Sequence, residues 1–173
     1  VAKAKSNDYW AWGLLGDIVS QTDPEAALGC YCKALSCPAD DKFTGKIRLK
    51  VAQRMLENND LAAAKHEVET VVRSKESEGH KIPEAAMEIA SRPWFAETQA
   101  TASNRSFYQA HALVAETLLF NDLPWIEANI GDKFTIPGKE DKPKRTIFLK
   151  TSSVPTEVSI PESKVGRKKL EPG

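Results

Sequence analysis

Trp12-Gly13-Leu14-Leu15-Gly16-Asp17-Ile18-Val19, followed by Ala27-Leu28-Gly29-Cys30-Tyr31 and then Pro38, is the stretch whose reading decides the fold. Trp12, Leu15 and Val19 recur at helical spacing, which predicts a first helix from Asn7-Asp8 to about Gln21. Thr22-Asp23-Pro24-Glu25 then stops one helix and starts another. Asp23 suits the N-cap, Pro24 the first helical position, and the acid of Glu25 the positive end of the helix dipole. The second helix runs from Glu25 to about Ser36, turns Ala27, Leu28, Tyr31, Ala34 and Leu35 inward, and ends at Cys37-Pro38. The small side chains of Ala27 and Ala34 let two helices approach closely, and Tyr31 fills the groove between them.

The unit recurs more weakly. A third helix, from about Asp41 to Glu57, carries Ile47, Val51, Ala52, Met55 and Leu56. Asn58-Asn59-Asp60 makes a turn, and a fourth helix from Leu61 to about Ser74 places Ala64, Val68 and Val71 where Ala27, Tyr31 and Ala34 stood. After a charged loop to Lys81, Pro83 opens a helix that Ser91-Arg92-Pro93 breaks early. A last helix, from about Ser103 to Phe120, contains Phe107, Ala110, Leu113, Val114 and Leu118. This third pair is irregular, a degenerate repeat or a capping element.

The signature W-x2-L-G-x2-Y, A-x3-F and P resembles that of the tetratricopeptide-repeat family, with Val19 in place of Tyr and Tyr31 in place of Phe. The resemblance spans roughly residues 8–75 and extends more weakly to 121. It implies a mainly α fold: a right-handed solenoid of about three antiparallel helix pairs. It also implies a scaffold or adaptor that takes a protein or peptide segment on its concave surface. The groove positions that follow from it are Trp10, Asp17, Lys46, Lys50 and Gln53, with Gly13 and Ser20 close by. An alternative for Trp10 is to cover the apolar end of the stack. The chaperone-binding subgroup clamps a C-terminal carboxylate with Lys and Asn. Gly13 and Asp17 stand at the corresponding places here, and Asp17 repels a carboxylate.

Beyond Asn121-Asp122 the helical period stops and prolines accumulate. Lys133–Ile136, Arg145–Leu149 and Glu157–Ile160 read as short β-branched strands separated by turns. The expected organisation is a helical-repeat domain over 1–121, a small β-hairpin, meander or extended segment packed on it over 122–163, and a mobile tail over 164–173. The missing initiator Met and the C-terminus in mid-linker lead us to expect a fragment of a longer protein.

Composition narrows the function classes. Lys+Arg and Asp+Glu are both 24, so the chain has no overall basic footprint for nucleic acid. No apolar run approaches the roughly 20 residues that span a bilayer. An odd cysteine count, Cys30, Cys32 and Cys37, without a secretory signal points to the reducing cytoplasm. Cys30 and Cys32 diverge by about 200° on a helix, and no second ligand pair lies nearby, so no metal site and no cofactor is expected. Neither a nucleophile elbow nor a Gly-rich phosphate loop nor a zinc-protease motif is present, and a non-enzyme is expected. Cys37 facing His66 and His111 on an apolar helix are read as packing residues. The cluster Lys139, Lys142, Lys144 and Arg145, beside Phe134 and Phe148, carries the alternative function: contact with RNA or DNA through Lys142, Lys144 and Arg145. Glu140 and Asp141 interrupt that cluster, which favours a solvated hairpin loop instead.

The helix pairing is testable at Ala27. Ala27→Trp is expected to destabilise the first helix pair by about 1–3 kcal/mol or more, because a bulky residue enters a close crossing. An unchanged melting temperature would mean that Ala27 does not sit at the crossing.

Overall fold

The computed structural model describes residues 3–122, 126–150 and 156–162. The expected mobile tail over 164–173 lies outside them. The elements are α1 (Tyr9–Val19), α2 (Pro24–Ser36), α3 (Asp41–Glu57), α4 (Leu61–Ser77), α5 (Glu84–Ala90), α6 (Pro93–Glu97), α7 (Arg105–Phe120), β1 (Ala128–Ile136), β2 (Lys139–Leu149) and β3 (Thr156–Pro161). The chain is therefore mainly helical, with a three-stranded antiparallel sheet toward its C-terminus. It divides into two compact units, residues 1–122 and 123–173.

Local chemistry sets the helix ends. The Asp23 carboxylate accepts from the Ala26 backbone N–H at 2.9 Å, and Pro24 occupies the first turn of α2. Asp40 and Asp60 cap α3 and α4 by accepting from Lys42 N and Ala63 N, each at 3.2 Å. Asn59 adopts φ +58° in the turn between these helices, a conformation its short polar side chain tolerates. Helix α4 runs three residues past the expected end at Ser74, through polar residues that carry no stop signal.

Helices α1 and α2 form one antiparallel hairpin and α3 and α4 a second. Ala27 is 3% exposed and Ala34 fully buried, as expected of a close crossing. Gly16 makes room for the Tyr31 ring, since a Cβ there would lie 2.5 Å from Tyr31 Cε1. Trp12, Leu28, Val51, Met55 and Ala64 join the two hairpins in one apolar cluster. Ala52, Val68 and Val71 build a second cluster with Ala86 and Ile89, which brings α5 beside the second hairpin.

The third pair departs from a stacked hairpin. The principal partner of α7 is α2, not α5. Gly29 is the reason the two can meet: a Cβ there would stand 3.0 Å from the His111 carbonyl oxygen and 3.1 Å from Ala115 N. The helices thus touch almost backbone to backbone, and Lys33 pairs with Glu116 beside the contact. The start of α7 is anchored on α4 by side-chain hydrogen bonds instead.

That anchor is a buried charge. Glu67 on α4 is completely buried. One carboxylate oxygen accepts from Arg48 Nη1 of α3 at 2.7 Å, and the other accepts from Asn104 Nδ2 at 2.5 Å and from the Tyr108 hydroxyl. Arg48 reaches on to Asp41 at 2.6 Å and to Thr44 at 3.2 Å, while Asn104 also donates to the Ala63 carbonyl at 2.9 Å. Among the described residues no buried side-chain polar atom lacks a partner. Burial alone would lower the Arg48 pKa, but the charges of Glu67, Tyr108 and Asp41 and the Glu67 hydrogen bond raise it instead. Burial, reinforced by the Glu67 charge, pushes the Tyr108 phenol upward.

In the second unit β2 lies between β1 and β3. The expected loop at Lys139–Lys142 is instead the start of β2, because the turn falls earlier, at Pro137-Gly138. Gly138 has φ +79°, the conformation the third position of a type II turn requires after a proline. Ile147, at the centre of the sheet, is the one buried residue among those described in this unit.

Removing the Glu67 carboxylate leaves Arg48 with Asp41 as its remaining charge partner and takes the acceptor from Asn104 and Tyr108. Glu67→Ala is therefore expected to cost about 3–5 kcal/mol, and Tyr108→Phe about 1–3 kcal/mol, in urea unfolding followed by circular dichroism. The exposed neighbour substitution Glu69→Ala is expected to stay within about 0.5 kcal/mol. Glu67→Ala no weaker than Glu69→Ala would remove the network's structural role.

Candidate functional site

Helices α1 and α3 lie side by side because α1 has no side chain at Gly13. A Cβ there would be 2.9 Å from Ile47 Cδ1, so Ile47 of α3 packs directly onto the α1 backbone. This corrects the expectation for Gly13: it is buried between helices and does not line a groove. The residues flanking that seam form a continuous exposed face.

On α1 the face carries Trp10, Leu14 and Ile18, which are 43%, 50% and 66% exposed. Their spacing of four places them on one stripe, next to Asp17. On α3 it carries Lys46, Lys50 and Gln53, all exposed, and Phe43, which stacks against Tyr9 with ring centroids 6.4 Å apart. The five residues expected to line a groove are therefore all exposed on this pair of adjacent helices. Leu14, Ile18 and Phe43 were missed by the sequence reading. The signal for two of them was present, since they continue from Trp10 at the helical period.

Asp17 organises the charges of this face. It accepts from the Tyr31 hydroxyl at 2.8 Å and is ion-paired with Lys50, whose ammonium sits 5.1 Å over the Tyr31 ring. Partial burial tends to raise the Asp17 pKa, but the hydrogen bonds from Lys50 and Tyr31 and the charges of Lys50 and Lys46 bring it below the ordinary 3.8. Tyr31 responds in the opposite sense: burial, then the Asp17 carboxylate it bonds, raise its phenol. Gln53 makes a long contact of 3.5 Å to Glu57.

The other candidate residues are placed apart from this face. Cys30 and Cys32 are fully buried. Burial and the Asp23 charge push the Cys30 thiol up to about 11, and burial then Glu67 raise Cys32, so both stay protonated and inert near neutral pH. The Cys37 sulfur lies 3.4 Å from the Lys33 carbonyl, and His66 Nδ1 lies 2.8 Å from the Thr101 carbonyl. His111 packs against Phe107, ring centroids 4.3 Å apart. Among the described residues no group of three or more His, Cys, Asp or Glu is placed to hold a metal ion.

In the second unit, Lys144 and Arg145 are neighbours on β2 and so point to opposite sides of the sheet. Arg145 is held by Glu162 through Nε at 2.7 Å and Nη2 at 3.2 Å, and it also reaches the Gly131 carbonyl at 3.3 Å. Lys144 pairs across the ladder with Phe134, and Lys142 is exposed. The three basic residues do not converge on one surface. Glu140 takes the Gly138 backbone N–H at 2.8 Å, and that bond, with its own N–H, lowers its carboxyl.

These features define a mainly helical protein whose first unit presents a mixed apolar and charged face on two adjacent helices. Residues 1–115 match the family described as a domain of unknown function, DUF7017, and the chain belongs to that family. The matched region contains the whole α1–α3 face, the Glu67 network and most of α7, and it stops before the sheet. Neither the curated proteins nor the solved structures contain a match to the chain. No helix among the described residues is long and apolar enough to cross a membrane.

Because the folded-state pKa of Asp17 lies below its unfolded value, the stabilisation from its contacts is fully present above the ordinary carboxylate range. It is lost as pH falls through the lower folded value. The melting temperature gap between wild type and Asp17→Asn is therefore expected to be steady from pH 5 to pH 8 and to close below about pH 4. A gap that widened on acidification would contradict the assigned contacts.

Proposed function

We propose that this protein is a non-catalytic scaffold that binds a segment of a protein partner across the α1–α3 face, in the manner of the tetratricopeptide-repeat proteins whose signature it carries. The observation that carries the reading is the exposure of Trp10, Leu14, Ile18 and Phe43 around Asp17, Lys46 and Lys50. Exposed aromatic and apolar side chains ringed by charges are the composition of a protein-recognition surface. Two adjacent hairpins with buried small residues at their crossings agree with a helical repeat, and the reduced thiols agree with a cytoplasmic setting.

Contact of the sheet with RNA or DNA is the weaker alternative. It rests on Lys142 and Lys144, since Arg145 is held by Glu162.

The test is site-specific photocrosslinking. A benzophenone amino acid at Gln53, on the face, is expected to crosslink a protein partner in cells, whereas the same group at Gln109 on α7 is not. Trp10→Ala with Leu14→Asp should abolish the crosslink while leaving the circular dichroism spectrum intact. Crosslinking from Gln109 alone would place the partner elsewhere. Salt-dependent binding of a single-stranded oligonucleotide, abolished by Lys142→Glu with Lys144→Glu, would favour the alternative.

A further inference from the structure

The charge layout of the α1–α3 face selects among partners. On α1, Trp10, Leu14 and Ile18 make one apolar row about 12 Å long, given the 1.5 Å rise per residue. That length matches two turns of a helix, in which apolar residues at i, i+4 and i+7 share one side. Alongside it, on the α3 flank, run Lys46 and Lys50, one turn apart. Between the two rows lies Asp17, already engaged by Tyr31 and Lys50. Lys46 is exposed and, among the described residues, has no hydrogen-bond or ion-pair partner, though its charge acts on Asp17. At the two ends of the same α3 row, Arg54 is balanced by Glu25 and Glu57, and Lys42 by Asp40 and Glu78. The uncompensated charge of the face is therefore positive, and it lies on one flank of the apolar row.

We infer that the occupant of this face is an amphipathic helical segment of a protein partner, with apolar residues against α1 and Asp or Glu residues along the flank that meets Lys46 and Lys50. The inference rests on the scaffold reading above and gives it a partner chemistry. Asp17 then has a specific part. Its carboxylate holds the Lys50 ammonium in the free protein, and an acidic residue of the partner competes with it for that ammonium. Helix-in-groove recognition supplies affinity from the apolar row, while the lysines set orientation and on-rate.

Selection from a random-peptide display library on the full chain tests both levels. The expected winners carry apolar residues at i, i+4 and i+7 flanked by Asp or Glu. Their synthetic forms should become helical on binding. Affinity measured by fluorescence anisotropy should fall about tenfold or more with Lys46→Glu plus Lys50→Glu, one such step being about 1.4 kcal/mol. It should rise severalfold with Asp17→Asn and weaken as salt is raised through the range where exposed charges are screened. Winners rich in Lys or Arg, or apolar winners indifferent to the lysine reversal, overturn the acidic assignment while leaving the face as a binding surface. Winners that bind equally well to Trp10→Ala plus Leu14→Asp protein overturn the surface itself, and the scaffold reading with it.

Discussion

A single buried carboxylate constrains the helical unit. Glu67 is completely removed from water, and an isolated carboxylate in that position is costly enough to prevent folding unless its oxygens are filled. Arg48, Asn104 and Tyr108 fill them, and they come from α3 and from the start of α7. The second hairpin and the last helix are therefore tied by a condition that no apolar contact imposes. If α7 leaves α4, the buried Glu67 keeps only its Arg48 partner and loses the Asn104 and Tyr108 donors that fill its other oxygen. Two turns further along, α7 meets α2 at Gly29 and is pinned there by Lys33 and Glu116.

That placement explains which surfaces remain open. With α7 laid over α2 and tied at its start to Glu67 of α4, the side of the hairpins formed by α1 and α3 keeps its side chains in water. The apolar residues of α1 are consequently divided in purpose. Trp12 is buried among both hairpins, with Leu15 and Val19 packed partly against it, while Trp10, Leu14 and Ile18 face outward. Gly13 and Gly16 perform the division, because each admits a bulky neighbour, Ile47 or Tyr31, against the α1 backbone. Tyr31 links the interior to the open face, since its ring packs on Gly16 and its hydroxyl holds Asp17. The core and the candidate site thus share one residue.

The sheet follows a different logic. Ile147 is its one buried residue among those described, so its stability rests on the backbone ladder and on cross-strand contacts such as Phe148 lying over Gly131. The ion pair of Arg145 with Glu162 joins an interior residue of β2 to the residue after β3. A residue read from the chain as a nucleic-acid contact is thereby a strand-to-strand tie. Whether a cation faces a ligand or a neighbouring strand depends on the alternation of the strand and on a partner many positions away.

The sequence by itself determined the first two helix pairs and most of the helix ends. Periodic apolar residues, the caps Asp23, Asp40 and Asp60, and the break at Ser91-Arg92-Pro93 act within one or two turns, and short-range chemistry is written in consecutive residues. The resemblance to a helical repeat, not the period alone, pointed to Trp10, Asp17, Lys46, Lys50 and Gln53, which are exposed in the structure. The Pro137-Gly138 turn was legible too, but the acids of the following segment masked it as a loop. Only the tertiary structure decided the partner of α7, the burial of Glu67, the loss of Gly13 from the open face and the capture of Arg145 by Glu162. Each of these joins groups far apart in the chain through close approach or a paired charge, and such pairings leave no period in the sequence. A glutamate that will be buried reads like one that will be solvated until the residues that satisfy it are in place.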